Sequence, residues 1–412
     1  MPRVCVVGGG TSGTEAAKEA ARRGADVVVL EKRESRAPPW RTWPALIDSK
    51  ADSTNLAKPR QPDDSRVVRT EGLEVKSVCR NVALSADGSA TRFDSVVIAT
   101  GTAFEPVRFP GTRKAGVLVL DSPEQYEELG RKGDFITEAV VLGEGGRGLE
   151  VSEKLSERGA KVHLHVSSWQ HSRPSSDVQA ILVEALSRKG ISLLAGILEG
   201  AVGSGAVEAV ISGGRVVSCE CLAIVPRRIP TEVPSPASHG PRGGLLVDRA
   251  LRASSPSTYA AGGCAELGVN LQPTSTLEDE GATSGRIAGA NATGRALSIG
   301  TQRFSEICVL RLRWTRIWAD QSYRGYSGPP LGVFSRRWSP TSACTVVFEK
   351  PSARVVGIET IEEEGASRVG NPLALSKVPS LTALAYESLD SSSDISLVSD
   401  TARLALAQWS KY

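Results

Sequence analysis

The chain has no long apolar run and no marked excess of either charge. Its apolar runs, such as residues 139–142, are far shorter than the roughly 20 residues that a membrane-spanning helix needs. The 49 basic and 46 acidic side chains leave a formal net charge of +3, which provides no strong field for a polyanion over the whole chain. We therefore expect neither a membrane span nor a nucleic acid partner.

A secretory signal and paired cysteines are also missing. Met1 is followed almost at once by the apolar run 4–7, without a cleavage site, so we expect a cytoplasmic protein. The seven cysteines form no C-x-x-C or C-x-x-x-x-C motif, and their odd number argues against a disulfide framework. The four histidines show no metal-ligand spacing, so we expect no metal site.

Glycine is abundant, and its placement near the N-terminus is informative. The apolar run 4–7 leads into Gly8-Gly9-Gly10-Thr11-Ser12-Gly13, then into helical spacing over 14–23 and a second apolar run that ends before Glu31 and Lys32. This order of strand, G-x-G-x-x-G, helix, strand and acid is typical of a dinucleotide-binding unit. The alternative is a glycine-rich turn in some other doubly wound domain.

Each position of this motif has a physical role in that interpretation. Gly8 allows the tight turn, Gly10 lets a pyrophosphate approach the backbone, and Gly13 lets the helix pack on the strand. The N–H groups at the start of the helix, at Thr11 and Ser12, favour phosphate. Glu31, with Lys32 beside it, is positioned to accept hydrogen bonds from the adenosine ribose.

The pattern occurs a second time. The apolar run 139–142 precedes a turn that contains Gly143, Gly145 and Gly148, and a helix over 149–158 and a strand over 161–166 follow. Two such units in one chain predict two dinucleotides, one of which passes electrons to the other.

With these two motifs the chain resembles the pyridine nucleotide-disulfide oxidoreductase family, flavoproteins whose FAD domain is interrupted by an NAD(P)H domain. Three further segments support the resemblance: 96–101, which ends in Thr100-Gly101 like the family's A-T-G segment; 243–267, which contains Gly262 and Gly263 and looks like the second FAD segment; and the expected helix 277–294. The region 345–403 looks like the dimerisation domain of the coenzyme A disulfide reductase and NADH oxidase branch, and its runs 345–348 and 355–358 are expected to form an antiparallel pair of strands.

The resemblance implies an α/β fold class with two Rossmann-like three-layer dinucleotide-binding domains plus an α+β C-terminal dimerisation domain. The expected boundaries are 1–113 and 232–300 for the FAD domain, 114–231 for the NAD(P)H domain and 301–412 for the interface domain. It also implies a homodimer that binds FAD and NAD(P)H. The tryptophans and seven arginines of 301–340 fit a dimer interface, and the alternative is a docking surface for an anionic substrate, a protein electron acceptor or a headgroup surface.

The chain departs from its family where sulfur chemistry is expected. Arg41 stands at the position of the branch's redox cysteine, and Asp390 replaces a tyrosine that faces that sulfur. A guanidinium does not replace a thiolate nucleophile, so no usual disulfide reduction is expected. The catalytic residues stay open, with Arg41, Trp43 and Cys264 as candidates. Cys219 and Cys221, spaced by two, are interpreted as structural residues on one strand.

Two departures concern the cofactors. Gly263 stands where the family has the aspartate that bonds the FAD ribityl chain. The second motif lacks its terminal acid, and Ser167, Ser168, His171 and Arg173 are available to a 2′-phosphate, which favours NADPH over NADH. The alternative is that this second site has drifted and prefers neither nucleotide.

The predicted function is hydride transfer from NAD(P)H to FAD and on to a small-molecule or small redox-protein acceptor. The alternatives are a degenerate nucleotide-binding subunit with a regulatory or structural role, and a disulfide reductase that uses a different cysteine.

Overall fold

The computed structural model describes residues 1–34, 40–48, 64–143, 145–165, 174–269, 272–276, 281–299, 303–318, 330–365 and 396–409. The chain forms two compact units. Unit 1 contains Met1–Trp43, Ser53–Glu105 and Arg227–Thr301, and unit 2 contains Pro44–Asp52, Pro106–Pro226 and Gln302–Tyr412. The division into three domains with the boundaries expected above stays a prediction.

The helices in these residues are α1 (Thr11–Arg22), α2 (Pro123–Lys132), α3 (Gly145–Glu157), α4 (Ser176–Arg188), α5 (Gly281–Ala292) and α6 (Ser396–Trp409). The strands of the first half are β1 (Arg3–Val7), β2 (Asp26–Leu30), β3 (Val67–Thr70), β4 (Val75–Cys79), β5 (Val82–Ser85), β6 (Ala90–Arg92), β7 (Ser95–Ile98), β8 (Thr102–Phe104), β9 (Val117–Val119), β10 (Glu138–Gly143), β11 (Lys161–His165), β12 (Ile191–Leu194) and β13 (Leu198–Val202). Those of the second half are β14 (Ala209–Ser212), β15 (Arg215–Ser218), β16 (Cys221–Val225), β17 (Arg228–Pro230), β18 (Leu245–Val247), β19 (Thr258–Ala260), β20 (Ala265–Val269), β21 (Gln272–Thr276), β22 (Arg303–Val309), β23 (Leu312–Trp318), β24 (Leu331–Ser339), β25 (Ser342–Glu349) and β26 (Val355–Glu363).

Unit 1 is built on a parallel sheet with the strand order β19-β7-β1-β2-β3. The central strand β1 is apolar and buried over Val4–Val7, as expected for a parallel strand that is covered on both faces. The antiparallel sheet β4-β5-β6, the mixed sheet β18-β20-β21 and the antiparallel pair β8-β17 contain the other strands of this unit. The mixed α/β fold with parallel sheets confirms the predicted fold class.

Helix α5 packs closely against α1 through its glycines. A Cβ atom added to Gly289 would lie 2.8 Å from Ala16 Cα, and one added to Gly285 would lie 3.0 Å from Ser12 Cα. Both distances are below normal contact, so only glycine permits this separation of the two helices. The helix begins at Gly281, and residues 277–280 of the expected helix lie outside the described residues.

Unit 2 contains a second parallel sheet, β12-β11-β10-β16-β9, and an antiparallel sheet, β13-β14-β15. The expected single strand through Cys219 and Cys221 is wrong. The chain leaves the antiparallel sheet at Ser218 and enters the parallel sheet at Cys221, because each half pairs with a different partner strand. Both thiols are buried, and burial raises the pKa of Cys219 to about 11 and that of Cys221 to about 12.

The C-terminal strands of unit 2 form an antiparallel sheet with the order β22-β23-β26-β25-β24. The predicted antiparallel pairing of 345–348 with 355–358 is confirmed. Trp314 is buried and donates its indole N–H to Glu359 at 2.9 Å, and Trp338 donates to Thr401 on α6 at 3.0 Å. These two tryptophans therefore pack within their own chain, which removes them as a reason to expect a dimer interface. The homodimer itself stays a prediction.

We expect Gly289→Val to lower the free energy of unfolding by about 2 kcal/mol, because the added carbons overlap with the α1 backbone and overpacking costs about 1 to 3 kcal/mol. Denaturant unfolding followed by circular dichroism measures this change. Gly205→Val is the matched control, since a Cβ there meets no atom within 4 Å. Equal unfolding curves for the two variants would contradict the close packing of α1 on α5.

Candidate functional site

The turn after β1 depends on two glycines, Gly8 and Gly13, whose Cβ positions are occupied by backbone atoms. Gly8 has φ +98°, and a Cβ on it would overlap with the backbone of Ala99. Its N–H donates to the Leu30 carbonyl at 2.8 Å, which ties the turn to the end of β2. A Cβ on Gly13 would overlap with the Gly8 carbonyl. The turn and the first turn of α1 are therefore in direct backbone contact.

Gly10 faces open space instead. A Cβ on this residue would meet no atom within 4 Å, and Gly10 is the N-cap of α1 without a side-chain hydrogen bond to the helix. The first N–H groups of an α-helix have no partner within the helix, and they carry a partial positive charge. Open space above uncapped N–H groups fits the pyrophosphate of a dinucleotide.

Glu31 lies directly after β2 at the side of this turn. Its Oε2 accepts a hydrogen bond from the Gly9 N–H at 2.6 Å, and its Oε1 accepts one from the Arg33 N–H at 2.9 Å. The carboxylate is thereby fixed beside the glycine turn, where a ribose hydroxyl has an acceptor. Lys32 is mostly exposed and pairs with Glu74 at 2.8 Å, so it contributes a surface ion pair.

Two other segments meet the start of α1 from the opposite side of β1. Thr100 and Gly101 follow β7, and the Thr100 hydroxyl donates to the Thr231 carbonyl at 2.9 Å. Gly262 and Gly263 lie in a short 3-10 helix after β19. The Ser12 hydroxyl occupies the space that a Cβ on Gly262 would fill. Gly263 supplies no side chain here, so backbone atoms form most of this side of the site.

The three catalytic candidates have different surroundings. Cys264 is fully buried, and its thiol lies 3.4 Å from the Ile98 and Ala261 carbonyls. Burial raises its pKa, so the thiol stays protonated near pH 7. Trp43 is also buried, with its ring centroid 5.8 Å from that of Phe104. Arg41 lies in the 3-10 helix Trp40–Ile47, and its side chain lies outside the described part of the structure. The catalytic roles of these three residues stay predictions.

Sequence reasoning missed Arg69, a residue of β3. Its side chain is only 12% exposed, and its Nη1 donates to the Gly9 carbonyl at 3.2 Å. Its Nη2 lies 4.0 Å from Glu31 Oε2. Nothing in the local sequence signals this position, because Arg69 and Gly9 are 60 residues apart.

The second glycine turn connects β10 to α3. The helix begins at Gly145, and a Cβ on Gly148 would lie 2.9 Å from the Gly143 carbonyl oxygen. This repeats the close contact between the first and last glycines of the first turn, so Gly143, Gly145 and Gly148 occupy equivalent positions.

Strand register identifies the counterpart of Glu31 in the second unit. In the first sheet Val7 pairs with Leu30, and in the second Leu142 pairs with His165. The sequence position that corresponds to Glu31 is therefore Val166, an apolar residue. His165 points into the interior, where its Nε2 lies 3.1 Å from Ser212 Oγ and burial lowers its pKa. Ser167, Ser168, His171 and Arg173 lie outside the described residues.

Two features are absent from the described ranges of the chain. No helix in them has the length and apolar character that a membrane crossing requires. Nowhere in the same ranges do three side chains of His, Cys, Asp or Glu come together as a metal site.

Two parallel sheets, each with a glycine turn before a helix, define the class of proteins with two Rossmann-like dinucleotide-binding units. The family model described as pyridine nucleotide-disulphide oxidoreductase matches residues 2–282. The chain belongs to this family, and it is an oxidoreductase.

Known proteins support the assignment. The rubredoxin-NAD(+) reductase of Pseudomonas putida is 27% identical over 277 residues, which are 64% of this chain and 71% of that protein. The reduced CoADR-RHD of Bacillus anthracis superposes with a TM-score of 0.82 at 18% identity and covers 100% of this chain and 81% of its own. The water-forming NADH oxidase of Lactobacillus brevis has a TM-score of 0.80 at 16% identity, with 100% and 99% coverage. Both structures have the fold of this chain, as expected from the predicted family branch.

We expect Gly10→Val to abolish FAD binding without destabilising the apoprotein. The new side chain occupies the open space above α1, but it meets no protein atom at its Cβ. Flavin absorbance after incubation with excess FAD and removal of the free cofactor measures binding, and denaturant unfolding measures stability. Gly205→Val is the matched control and should bind FAD like the wild type. A Gly10→Val protein that retains FAD would show that the pyrophosphate does not bind at this turn.

Proposed function

We propose that the chain is an FAD-dependent NAD(P)H oxidoreductase that delivers electrons to an acceptor other than a disulfide. One observation carries the proposal: open space over Gly10 lies beside a carboxylate, Glu31, that the Gly9 N–H holds in place. Helix N–H groups for phosphate and an acceptor for a ribose are the two requirements of an adenine dinucleotide. The cofactor-binding residues of the first site are proposed to be Gly8, Gly10, Thr11, Ser12, Gly13, Glu31, Thr100, Gly101, Gly262 and Gly263.

Bound FAD would supply the redox chemistry, since its isoalloxazine accepts a hydride from a reduced nicotinamide and releases the electrons to an acceptor. The protein contributes binding and orientation. The start of α1 neutralises the pyrophosphate, and Glu31 fixes the ribose. The buried residues around Gly262 supply backbone groups to the part of the site where Gly263 offers no carboxylate.

The kind of electron acceptor is inferred from the protonation of the buried thiols. Cys5, Cys219, Cys221, Cys264 and Cys344 are buried, and burial raises the pKa of each. A protonated buried thiol is a poor nucleophile. We therefore favour a small redox protein or a small molecule, and the name of the rubredoxin-NAD(+) reductase relative supports the first of these.

The second site favours NADPH. Val166, at the position that corresponds to Glu31, offers no carboxylate to the ribose 2′-hydroxyl and no charge that would repel a 2′-phosphate. The cytoplasmic location is proposed together with this activity.

A degenerate nucleotide-binding subunit is the second candidate. Gly263, which carries no side chain toward the first site, is the observation that favours it. A chain of this kind would bind the cofactor weakly or not at all.

With FAD bound and NADPH supplied, we expect reduction of ferricyanide or of a rubredoxin to exceed turnover of coenzyme A disulfide by about 100-fold, because burial raises the pKa of Cys264 and a protonated thiol is a poor nucleophile. The rate of NADPH oxidation at 340 nm measures both reactions. The Cys264→Ser variant should retain the acceptor activity. Wild-type disulfide turnover that disappears in this variant would instead identify Cys264 as the nucleophile.

Val166→Glu should shift the ratio of kcat/KM for NADH to that for NADPH upward by about tenfold, since a charge-assisted hydrogen bond to the 2′-hydroxyl contributes about 1.5–3 kcal/mol. Initial-rate kinetics with each nucleotide give this ratio. Val216→Glu is the matched control, because it adds the same group at an exposed position of β15. An unchanged ratio in Val166→Glu would contradict the register argument.

A further inference from the structure

Arg69 lies beside the first glycine turn, on the edge strand of the parallel sheet. It pairs in register with Val29 on β2, two residues before Glu31. Its Nε donates to Glu71 at 2.8 Å and its Nη1 donates to the Gly9 carbonyl at 3.2 Å. These bonds, together with 12% side-chain exposure, hold the guanidinium in one place.

Gly9 indicates that the position of the Arg69 guanidinium is part of the structure of the turn. The G-x-G-x-x-G motif does not require glycine at its second position, and Gly9 is not among the residues with positive φ. A Cβ on Gly9 would nevertheless lie 2.6 Å from Arg69 Cζ. Glycine at this position therefore lets the guanidinium lie against the turn, and a side chain here would displace it.

The strand order assigns this place to one half of the dinucleotide. The sheet runs β19-β7-β1-β2-β3, and ligands of open parallel sheets bind beyond the carboxyl ends of the strands. Thr100 and Gly262 follow β7 and β19 on one side of the turn, whereas Glu31 follows β2 and Arg69 lies on β3 on the other. A dinucleotide whose pyrophosphate binds at α1 and whose ribose binds Glu31 must therefore extend its adenine toward β3.

We propose that Arg69 is a specificity-determining residue for the adenylate half of the cofactor. A guanidinium presents a flat cationic face on which a purine ring stacks. Its charge also offsets the Glu31 carboxylate, which would otherwise lie uncompensated near a pyrophosphate. The inference rests on the proposed function, since it takes FAD to be the ligand of the first site.

The test compares FAD with FMN, which lacks the adenylate half. Apoprotein is titrated with each flavin, and the quenching of flavin fluorescence gives the dissociation constant. We expect Arg69→Met to weaken FAD binding about tenfold or more, as for the loss of one charge-assisted contact, and to leave FMN binding unchanged. Arg69→Lys keeps the charge and loses the flat face, so its affinity for FAD should lie between those of the wild type and Arg69→Met. Arg92→Met, at an exposed arginine of β6, is the control.

Gly9→Ala gives a second, independent variant. Its methyl group displaces the guanidinium, so it should reproduce the FAD defect of Arg69→Met. The double variant should be no worse than either single one, because the two substitutions remove the same contact.

The outcomes separate the inference from the proposed function. A wild type that binds no FAD overturns both. A wild type that binds FAD, with Arg69→Met binding it equally well, overturns only the role of Arg69. Equal weakening of FAD and FMN also overturns it, because it would show a general structural defect. If FMN binds too weakly to measure, the denaturant midpoint of apoprotein unfolding serves as the control measurement instead. A large fall of this midpoint in Arg69→Met would then count against the inference.

Discussion

The backbone contact between Gly8 and Gly13 is the constraint on which the first site depends. Without side chains at these two positions, β1 can turn into α1 within a few residues, and the N–H groups of the helix emerge next to the carboxyl ends of the strands. The same contact recurs between Gly143 and Gly148. A larger residue at either end of the turn would move the helix away from the sheet, and with it the phosphate-binding groups.

The two turns share this geometry but differ in what surrounds them. Around the first, Glu31 after β2 and Arg69 on β3 bring opposite charges to 4.0 Å from each other. At the second, the corresponding position carries Val166, and the preceding His165 is buried against Ser212. Backbone architecture is therefore common to both units, whereas the residue that follows the second strand of each sheet differs in charge.

The departures from the family concern sulfur chemistry and one cofactor contact. Cys264 follows the segment where a flavin is expected, yet it packs among buried apolar residues with its thiol directed at backbone carbonyls. Desolvation disfavours a thiolate there. Gly263 leaves the same segment without a carboxylate. The buried thiol supports the proposal of a site without thiol chemistry, and Gly263 leaves only backbone groups to contact a flavin at this position.

The sequence alone determined the strand-turn-helix units, because glycine positions and the periodicity of apolar residues act within a few residues of the chain. It therefore predicted both parallel sheets, the antiparallel pairing of β25 with β26, and the position of Glu31. Tertiary structure decided what depends on remote strands: the guanidinium of Arg69 on Gly9, the burial of Cys264 and Trp314, and the change of sheet between Cys219 and Cys221. Such contacts join residues far apart in the chain, and their environment is set only when the strands pair and the helices pack over them.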